Sequence, residues 1–303
     1  VPFVLGPING GVPWPPGFET ELRREREWLS RLRGAHRLLP GRAATLRADA
    51  ILAGSLRAAA EVPARHRARC IHLPENAIDP ERFWRRAEPA PGPLRVCFIG
   101  RMVPLKGLDM LIEAAAPLLA AGRMTLDLIG DGPMRGALEA QAAAAAAPGA
   151  VTFHGWQPHE KVQDIAAGCA VLGFPSIREF GGGVVLEAMA LGLVPLVVDY
   201  AGPAELVTEA TGFKVPLGSR AEIVAGLAAR LARMADDPAS LAATGQAARA
   251  RVEALFTWPQ KARQVREVYD WVTGRRTLRP DFGFCAPPAD PCDSAAVAAK
   301  PAI

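Results

Sequence analysis

The chain has 303 residues, of which half are hydrophobic and 22% are charged, and it carries a formal net charge of +4. This length and composition suffice for two ordinary globular domains with their own cores. No uncharged apolar run reaches the roughly eighteen residues that a membrane-spanning helix needs, and residues 1–30 lack the zones of a secretory signal. We therefore expect a cytoplasmic protein.

The five cysteines exclude two kinds of structural site. They form no C-x-x-C pair, and Cys97 and Cys169 lie in apolar runs where small buried hydrophobic side chains belong. The sequence therefore predicts neither a zinc site nor a disulfide framework. The cysteines are Cys70, Cys97, Cys169, Cys285 and Cys292.

Residues 21–69 are strongly basic, with twelve arginines against five acidic residues. The region can be a solvated helical surface. Alternatively, it can attract an acidic acceptor or anionic lipid head groups, which would place the protein on the inner face of the membrane. Nucleic acid is not an expected partner, because Trp28 is the only aromatic residue there that could stack on a base.

In chain order, the sequence opens on VPFVL, which indicates a strand. Since it begins with Val rather than Met, in the middle of that strand, we expect an N-terminally truncated chain. Residues 94 to about 215 then alternate six apolar runs with helical patterns, which predicts a doubly wound α/β domain with a parallel sheet covered on both faces. The runs are LRVCFIG, MTLDLIG, VTFHG, CAVLGFPS, LVPLVVD and TGFKVPL.

In such sheets ligands bind beyond the carboxyl ends of the strands, so the residues after each apolar run are the candidates for a site. Arg101 and Lys106 follow the first run, in a loop that leads into a helix at about residue 108. Only their position, directly after a predicted strand, distinguishes these two residues from the arginines and lysines of an ordinary protein surface. Trp156 and Gln157 follow the third run, where they could lie against a planar base. A buried structural tryptophan is the alternative.

The second run is followed by GDGPMRG, whose glycines imitate a dinucleotide-binding motif. Gly130, Gly132 and Gly136 do not have the G-x-G-x-x-G spacing, and they follow the second strand of the domain rather than the first. The next strand ends in His154 rather than in an acidic residue that could hold a ribose. We therefore predict no nicotinamide cofactor, and Pro133 indicates a turn into a helix.

The fourth run is followed by REFGGGVVLEAMALG, in which two glutamates flank three glycines. A helix that starts near Gly182 would direct free N–H groups and its positive dipole end into the crevice, which suits a phosphate; a glycine hinge is the alternative. Glu179 precedes the glycines and Glu187 lies in the helix behind them, so they serve different purposes. Each carboxylate suits a sugar diol. Otherwise Glu187 complements the helix dipole, and Glu179 pairs with Arg178 or lies in a solvated loop.

Together these motifs resemble the retaining nucleotide-sugar glycosyltransferases of family 4. The resemblance covers roughly residues 49–271 and rests on the order and spacing of its pieces. It implies the GT-B architecture, in which two Rossmann-like doubly wound domains face each other across a cleft and the C-terminal one holds a nucleoside diphosphate sugar. No cofactor and no metal are implied. The pieces are ADAILAGS, PENAIDPERF, FIGR with KG, IGDGP, VTFHGW, E-x7-E, GPAELV, TGFKVP and FTWPQKARQVREVYDWV.

The resemblance also implies a role for each motif residue. Arg101 and Lys106 would neutralise the donor diphosphate in place of a metal and stabilise the charge that develops as it leaves. Glu179 would contact the donor sugar, and Glu187 would hold the ribose diol. The acceptor would attack from the face that the diphosphate leaves, so anomeric configuration is retained without a carboxylate nucleophile. Further donor contacts would come from Phe180, Gly181, Gly182, Gly183, Val185 and Leu186.

The resemblance divides the chain into four parts. Residues 1–93 would be the remnant of an acceptor-side domain with its linker, 94–255 the donor domain, 256–274 a helix that crosses back, and 275–303 a tail without fixed structure. The acceptor-side domain is incomplete, because the family's earlier glycine-rich loop and several strands have no counterpart here. The acceptor-side candidates are Asn9, Gly10 and Gly11.

Two classes of function follow. In the first, the chain belongs to an enzyme that moves a hexose to a glycan, a glycolipid or a small hydroxylated acceptor without a metal, as in polysaccharide biosynthesis. In the second, it binds a nucleotide sugar without turnover. A sugar epimerase shares the architecture but not the combination of R-x4-K and E-x7-E.

Overall fold

A computed structural model of the chain describes residues 1–9, 11–25, 47–83, 85–89 and 91–284. These residues form two α/β units, each built on a parallel sheet, which confirms the predicted fold class. Gly10 and residues 26–46 of the basic region lie outside the described residues. None of the helices in the described ranges combines the length and the apolar character needed to cross a membrane.

The N-terminal unit is a small layer of strands and short helices. Its described elements are β1 (Val4–Ile8), α1 (Glu19–Arg24), β2 (Ala50–Ala53), α2 (Leu56–Ala60), α3 (Ala64–Arg67) and β3 (Cys70–His72). The three strands are parallel and lie in the order β1-β2-β3. Strand β2, of sequence AILA, is buried along its whole length, as expected for the middle strand of a covered sheet.

The C-terminal unit is larger and alternates strands with helices. Its strands are β4 (Leu94–Ile99), β5 (Met124–Ile129), β6 (Val151–Gly155), β7 (Val171–Phe174), β8 (Val194–Val198) and β9 (Phe213–Val215). Its helices are α4 (Leu108–Ala120), α5 (Arg135–Ala145), α6 (His159–Ala167), α7 (Gly183–Leu191), α8 (Ala201–Leu206), α9 (Arg220–Asp236), α10 (Leu241–Leu255) and α11 (Trp258–Val272).

The sheet of this unit is parallel, with the strand order β6-β5-β4-β7-β8-β9. The first strand along the chain, β4, lies in the middle of the sheet, and β5 and then β6 are added on one side of it. The chain then returns to the other side of β4, where β7, β8 and β9 are added in turn. The order therefore reverses between β4 and β7, and α/β sheets bind their ligands at the carboxyl end of such a switch point.

Helices cover both faces of the sheet, so its strands are apolar, and β7 and β8 are buried throughout. One polar cluster interrupts this core. Asp127 in β5 is 7% exposed, Arg95 donates to it at 3.1 Å, and Nε2 of His154 lies 2.8 Å from its other oxygen. These partners satisfy the buried carboxylate, which would otherwise be costly. Cys97 and Cys169 are buried free thiols, as predicted.

The linker between the two units is hydrogen-bonded to the residues at the start of α11. Ile78, in the linker after β3, donates its N–H to the carbonyl of Phe256 at 2.7 Å. The carbonyl of Ile78 accepts the N–H of Trp258 at 3.1 Å. The outgoing linker and the start of α11 are therefore held side by side.

The expectation that the tail lacks fixed structure is wrong for residues 275–284. Phe284 is 3% exposed, its ring centre lies 5.2 Å from that of Phe256, and its carbonyl accepts a hydrogen bond from Arg251. Burial of an aromatic side chain offsets the entropy lost in ordering this segment. Residues 285–303 lie outside the described part of the chain.

Candidate functional site

The two loops predicted to carry the site lie side by side at the switch point. The first follows β4 and contains a 3₁₀ turn, Pro104–Lys106. The second follows β7 and carries Glu179. The loops are joined because the N–H of Ile177 and the hydroxyl of Ser176 both donate to the carbonyl of Leu105, at 3.0 and 3.1 Å.

Lys106 and Glu179 form an ion pair between these loops. Their side chains are only 17% and 25% exposed, and the Lys106 ammonium also lies 4.8 Å from the centre of the Phe174 ring. The alternative pairing of Glu179 with Arg178 is wrong, since Arg178 turns toward the N-terminal unit. The ion pair places a cation and a carboxylate within reach of one ligand.

Helix α7 begins with backbone N–H groups that have no acceptor. Gly182 caps the helix with φ of +61°, a conformation that glycine adopts without strain. Among the described residues, the N–H groups of Gly183 and Val184 lack acceptors, which favours an anion at this end of the helix dipole. The predicted contact at Val185 is already occupied, because its N–H donates to Gly182 at 2.9 Å. The side chains of Val185 and Leu186 are buried in the core.

Glu187 lies one turn further along α7 and is half-buried. Burial raises the pKa of Glu187, while the nearby His159 and Arg82 act in the opposite direction. Nε2 of His159 lies 3.6 Å from Oε1 of Glu187, and the edge of the His159 ring meets Phe83 with ring centres 4.9 Å apart. Glu187 and Glu179 therefore have different partners. Sequence reasoning missed His159, for which the signal was its place at the start of α6.

Glycines allow three backbone segments to meet around Glu179. A Cβ at Gly181 would lie 2.3 Å from Nδ2 of Asn76 in the linker, and one at Gly202 would lie 1.8 Å from the carbonyl oxygen of Phe180. The N–H of Gly202 donates to the carbonyl of Glu179 at 3.2 Å. Asn76 therefore belongs to the site, although the sequence did not single it out.

Two further features adjoin this loop. The ring of Phe180 faces the N-terminal unit, where a Cβ at Gly54 would lie 3.2 Å from it. Ala201, at the start of α8, has φ of +55° and is the only non-glycine residue with positive φ in the described ranges. This left-handed conformation is strained for alanine, and such strain concentrates at functional sites.

Trp156, Gln157 and Arg101 lie after their strands at the same edge of the sheet. Trp156 is 76% exposed, so the alternative of a buried structural tryptophan is wrong. The amide of Gln157 donates to the carbonyl of His154 at 2.7 Å and is thereby held by its own loop. Arg101 is exposed and has no ion pair with any described residue.

The candidates on the acceptor side follow β1. The Oδ1 atom of Asn9 accepts the N–H of Gly11 at 3.0 Å, and Gly11 has φ of +73°, so the chain makes a tight turn here. Gly10, between them, lies outside the described residues. The residues that follow this turn contact the loop that carries Glu179.

Two of the glycines after β5, Gly130 and Gly132, have a packing role, whereas a Cβ at Gly136 would meet nothing within 4 Å. A Cβ at Gly130 would lie 2.0 Å from the carbonyl oxygen of Gly100, and one at Gly132 would lie 2.5 Å from that of Met102. Their resemblance to a dinucleotide-binding motif therefore reflects the close approach of two neighbouring loops.

The described residues contain no group of three or more His, Cys, Asp or Glu side chains that could hold a metal ion. The switch point instead combines an ammonium, a helix start with free N–H groups and two separated carboxylates. This site on paired parallel α/β units defines a protein of the GT-B type. The family model for group 1 glycosyl transferases matches residues 80–251, and the chain belongs to this family.

Named relatives are about one third identical to the chain over the residues that align. The 2-deoxystreptamine glucosyltransferase of Streptomyces kanamyceticus is 31% identical over 222 residues, which is 68% of this chain and 53% of that protein. The D-inositol 3-phosphate glycosyltransferase of Nocardia farcinica is 34% identical over 59% of this chain and 41% of that protein. The chain therefore spans about half the length of the curated relatives it matches.

Solved structures share the fold. A crystal structure of HepE from Anabaena in complex with UDP and glucose superposes with a TM-score of 0.60 at 20% identity, over 75% of this chain and 67% of that one. The C-terminal domain of a group 1 glycosyl transferase from Francisella tularensis, LpcC, superposes with a TM-score of 0.52 at 23% identity. That match covers 60% of this chain and 99% of the domain.

Proposed function

We propose that the chain provides the donor site of a retaining, metal-independent glycosyltransferase, which moves a hexose from a nucleoside diphosphate sugar to a glycan, a lipid-linked or a small hydroxylated acceptor. The observation that carries this proposal is the contact of Lys106 with Glu179 beside the start of α7. The glucosyltransferase among the relatives and the UDP and glucose held by Anabaena HepE support a nucleotide hexose as the donor.

The spacing of the polar groups supports a division of labour along one donor molecule. The diphosphate would lie at the N–H groups of Gly183 and Val184, within reach of Lys106 and of the exposed Arg101. Glu179, before the glycines, would accept hydrogen bonds from the sugar hydroxyls. Glu187, behind the helix start, would accept them from the ribose diol, because an ionised carboxylate can accept from two neighbouring hydroxyls at once.

These groups would act on the leaving group. As the bond between the anomeric carbon and the phosphate breaks, negative charge builds on the departing oxygen. Fixed cations and helix N–H groups stabilise that charge more than they stabilise the ground state, which lowers the barrier. The departing phosphate would take the acceptor proton on the same face of the sugar, so the anomeric configuration is retained. Neither glutamate would act as nucleophile, because each is committed to hydroxyl groups of the donor.

We also propose where the reaction takes place. The donors would be cytoplasmic, and the basic region 21–69 would bring the protein to an anionic inner membrane face when the acceptor is lipid-linked. The arginine excess of that region supports this placement. A vesicle sedimentation assay with neutral and anionic lipids tests it, since binding that does not increase with anionic lipid contradicts the proposal.

A donor screen tests the proposed function. UDP-, GDP- and ADP-hexoses are added to the protein, and thermal stabilisation, affinity and slow donor hydrolysis are measured. A donor at about one hundred times its Kd stabilises the native state by about 2.7 kcal/mol, which is several degrees in Tm. Lys106→Ala and Glu187→Ala should each weaken binding about ten- to one-hundredfold, because each removes a hydrogen bond to a charged group.

Matched controls come from two exposed residues of α6. Glu160 has the same charge as Glu187, and Lys161 has the same charge as Lys106. Glu160→Ala and Lys161→Ala should bind every donor as the wild type does. The assigned site is wrong if no donor stabilises the protein, or if the site variants behave like these controls. Donor binding without hydrolysis or transfer would instead support a nucleotide-sugar-binding protein.

A further inference from the structure

Two side chains of the C-terminal unit hold two successive carbonyls of the N-terminal unit. Nε of Arg178 donates to the carbonyl of Val12 at 2.8 Å, and the hydroxyl of Tyr200 donates to the carbonyl of Pro13 at 3.0 Å. The Arg178 guanidinium also lies 5.4 Å from the ring centre of Trp14. Three consecutive residues after the acceptor-side turn are therefore fixed from one side.

Both of these side chains adjoin Glu179. Arg178 precedes it directly in the chain. Tyr200 precedes Ala201 and Gly202, and the N–H of Gly202 donates to the carbonyl of Glu179 at 3.2 Å. The loop that carries Glu179 is thus connected to the N-terminal unit both through its own chain and through the start of α8.

The loop needs such connections because it has no regular structure of its own. The residues between β7 and α7 form bends without helix, strand or turn, and Gly181 and Gly182 add backbone freedom just after Glu179. The same contacts hold segment 12–14 in place. Nε1 of Trp14 is buried without an acceptor among the described residues, and its ring both packs against the hydrophobic core and faces the Arg178 guanidinium.

We propose that Arg178 and Tyr200 are positioning residues. By binding segment 12–14, they hold the Glu179 carboxylate in place, so recognition of the donor sugar depends on the N-terminal unit. The inference rests on the proposed function, in which Glu179 contacts the sugar while α7 and Glu187 hold the nucleotide. Misplacement of Glu179 then weakens the contribution of the sugar to binding and leaves that of the nucleotide intact. A purely structural tie between the units predicts no such separation.

The experiment compares two ligands on each variant. Calorimetry on the full chain gives the Kd of a nucleoside diphosphate and of the matching hexose conjugate, with the base chosen from the donor screen. Arg178→Met removes the Nε donor and the cation while it keeps much of the aliphatic stem. Tyr200→Phe removes one hydroxyl and keeps the ring. We expect the affinity gained from the sugar to fall about tenfold in Arg178→Met and a few-fold in Tyr200→Phe, with the Kd of the nucleoside diphosphate within twofold of wild type.

Arg230→Met is the matched control, because the Arg230 guanidinium lies 5.5 Å from the ring centre of Phe213 at the far edge of the sheet. It should leave both constants unchanged. The inference is overturned if the sugar contribution survives in both site variants, or if both ligands lose affinity equally. A wild type that binds neither ligand overturns the proposed function and this inference with it. If Arg178→Met does not fold, the two Kd values of Tyr200→Phe alone decide the test.

Discussion

Nε2 of His159 lies 3.6 Å from Oε1 of Glu187, so the start of α6 and the second turn of α7 meet through an imidazole and a carboxylate. Burial of Glu187 raises its pKa, and the positive charges of His159 and Arg82 limit the increase. Ionisation of the carboxylate proposed to hold the ribose therefore has a cost in folding stability.

Glu187→Gln should stabilise the protein at neutral pH. The pKa of Glu187 in the native state is raised above its ordinary value of 4.5, so the native protein keeps this proton to a higher pH than the unfolded chain does. Stability from this group is present below pH 4.5 and is lost as the pH rises through the native value. Thermal unfolding from pH 4 to 8 should show the variant about 2 °C more stable at the upper end and equal to wild type at the lower end.

The exposed Glu160→Gln variant, in α6, is the control for that titration and should follow the wild type at every pH. An equal stability difference at pH 4 and pH 8 would show that the effect of Glu187→Gln is not electrostatic. The same variant should bind the donor less tightly, since an amide has one fewer acceptor oxygen for the ribose diol.

Lys261 predicts a second pH dependence, with the opposite sign. Burial lowers the pKa of Lys261 to about 7, and its ammonium lies 5.2 and 4.4 Å from the ring centres of Phe256 and Phe284, which moderates the effect. Between pH 7 and 10.5 the unfolded chain binds more protons than the native protein, so stability should increase with pH across this window. The slope is at most about 1.4 kcal/mol per pH unit.

Lys261→Met should remove this slope and stabilise the protein by about 1–2 kcal/mol below pH 7, because a flexible apolar side chain of similar length replaces a buried ammonium. Urea unfolding at pH 6, 7.5 and 9 measures both effects. Lys161→Met, at an exposed position, is the control. If the two variants have the same pH profile, Lys261 does not titrate as described.

Gly181 and Asn76 should be coupled in a double-mutant cycle. A Cβ at Gly181 would lie 2.3 Å from Nδ2 of Asn76, so Gly181→Ala should cost about 1–3 kcal/mol of unfolding free energy. In an Asn76→Ala background the amide is gone, and the same change should cost less than about 0.5 kcal/mol. Gly202→Ala meets the backbone oxygen of Phe180 and should remain destabilising in both backgrounds. Additive effects of Gly181→Ala and Asn76→Ala would contradict the contact.

Ala201→Gly should stabilise the protein, although glycine normally destabilises a helix. The left-handed conformation of Ala201 destabilises the native state by about 1–2 kcal/mol, and glycine relieves this strain. The greater conformational freedom of glycine in the unfolded chain reduces the gain in unfolding free energy by about 0.4–1 kcal/mol. We expect a net gain of about 0.5–1 kcal/mol by urea unfolding. Ala204→Gly, in the same helix at ordinary φ, should instead cost about 0.5–1 kcal/mol. A loss of stability in Ala201→Gly would show that the conformation is not strained.

The sheet of the C-terminal unit could be predicted because its strands are short, largely apolar runs that alternate with helical patterns. Each apolar run became a strand, and the residues after those runs lie at the edge where Lys106 and Glu179 meet. The helix start near Gly182 was also predictable, since three glycines before an apolar helical pattern leave few other interpretations. These strands and this helix start could be predicted because they depend only on the local residue pattern and on the order of the elements along the chain.

The partners of the site residues could not be predicted, because they depend on which strands are neighbours. Proximity in sequence favours Arg178 as the partner of Glu179, whereas the order of β4 and β7 brings Lys106 to it. Asn76 and His159 reach the site from the linker and from α6. Nothing local distinguishes Asn76 from a surface residue, and the place of His159 at the start of a helix does not identify its partner. The order of the tail up to Phe284 likewise depends on a distant aromatic side chain.

The hydrogen bonds of Ile78 to Phe256 and Trp258 have a mechanical consequence. Because both hydrogen bonds use the backbone of one residue, the linker and the start of α11 can separate at this point only if both bonds break. The amide hydrogens of Ile78 and Trp258 are therefore expected to exchange with solvent together.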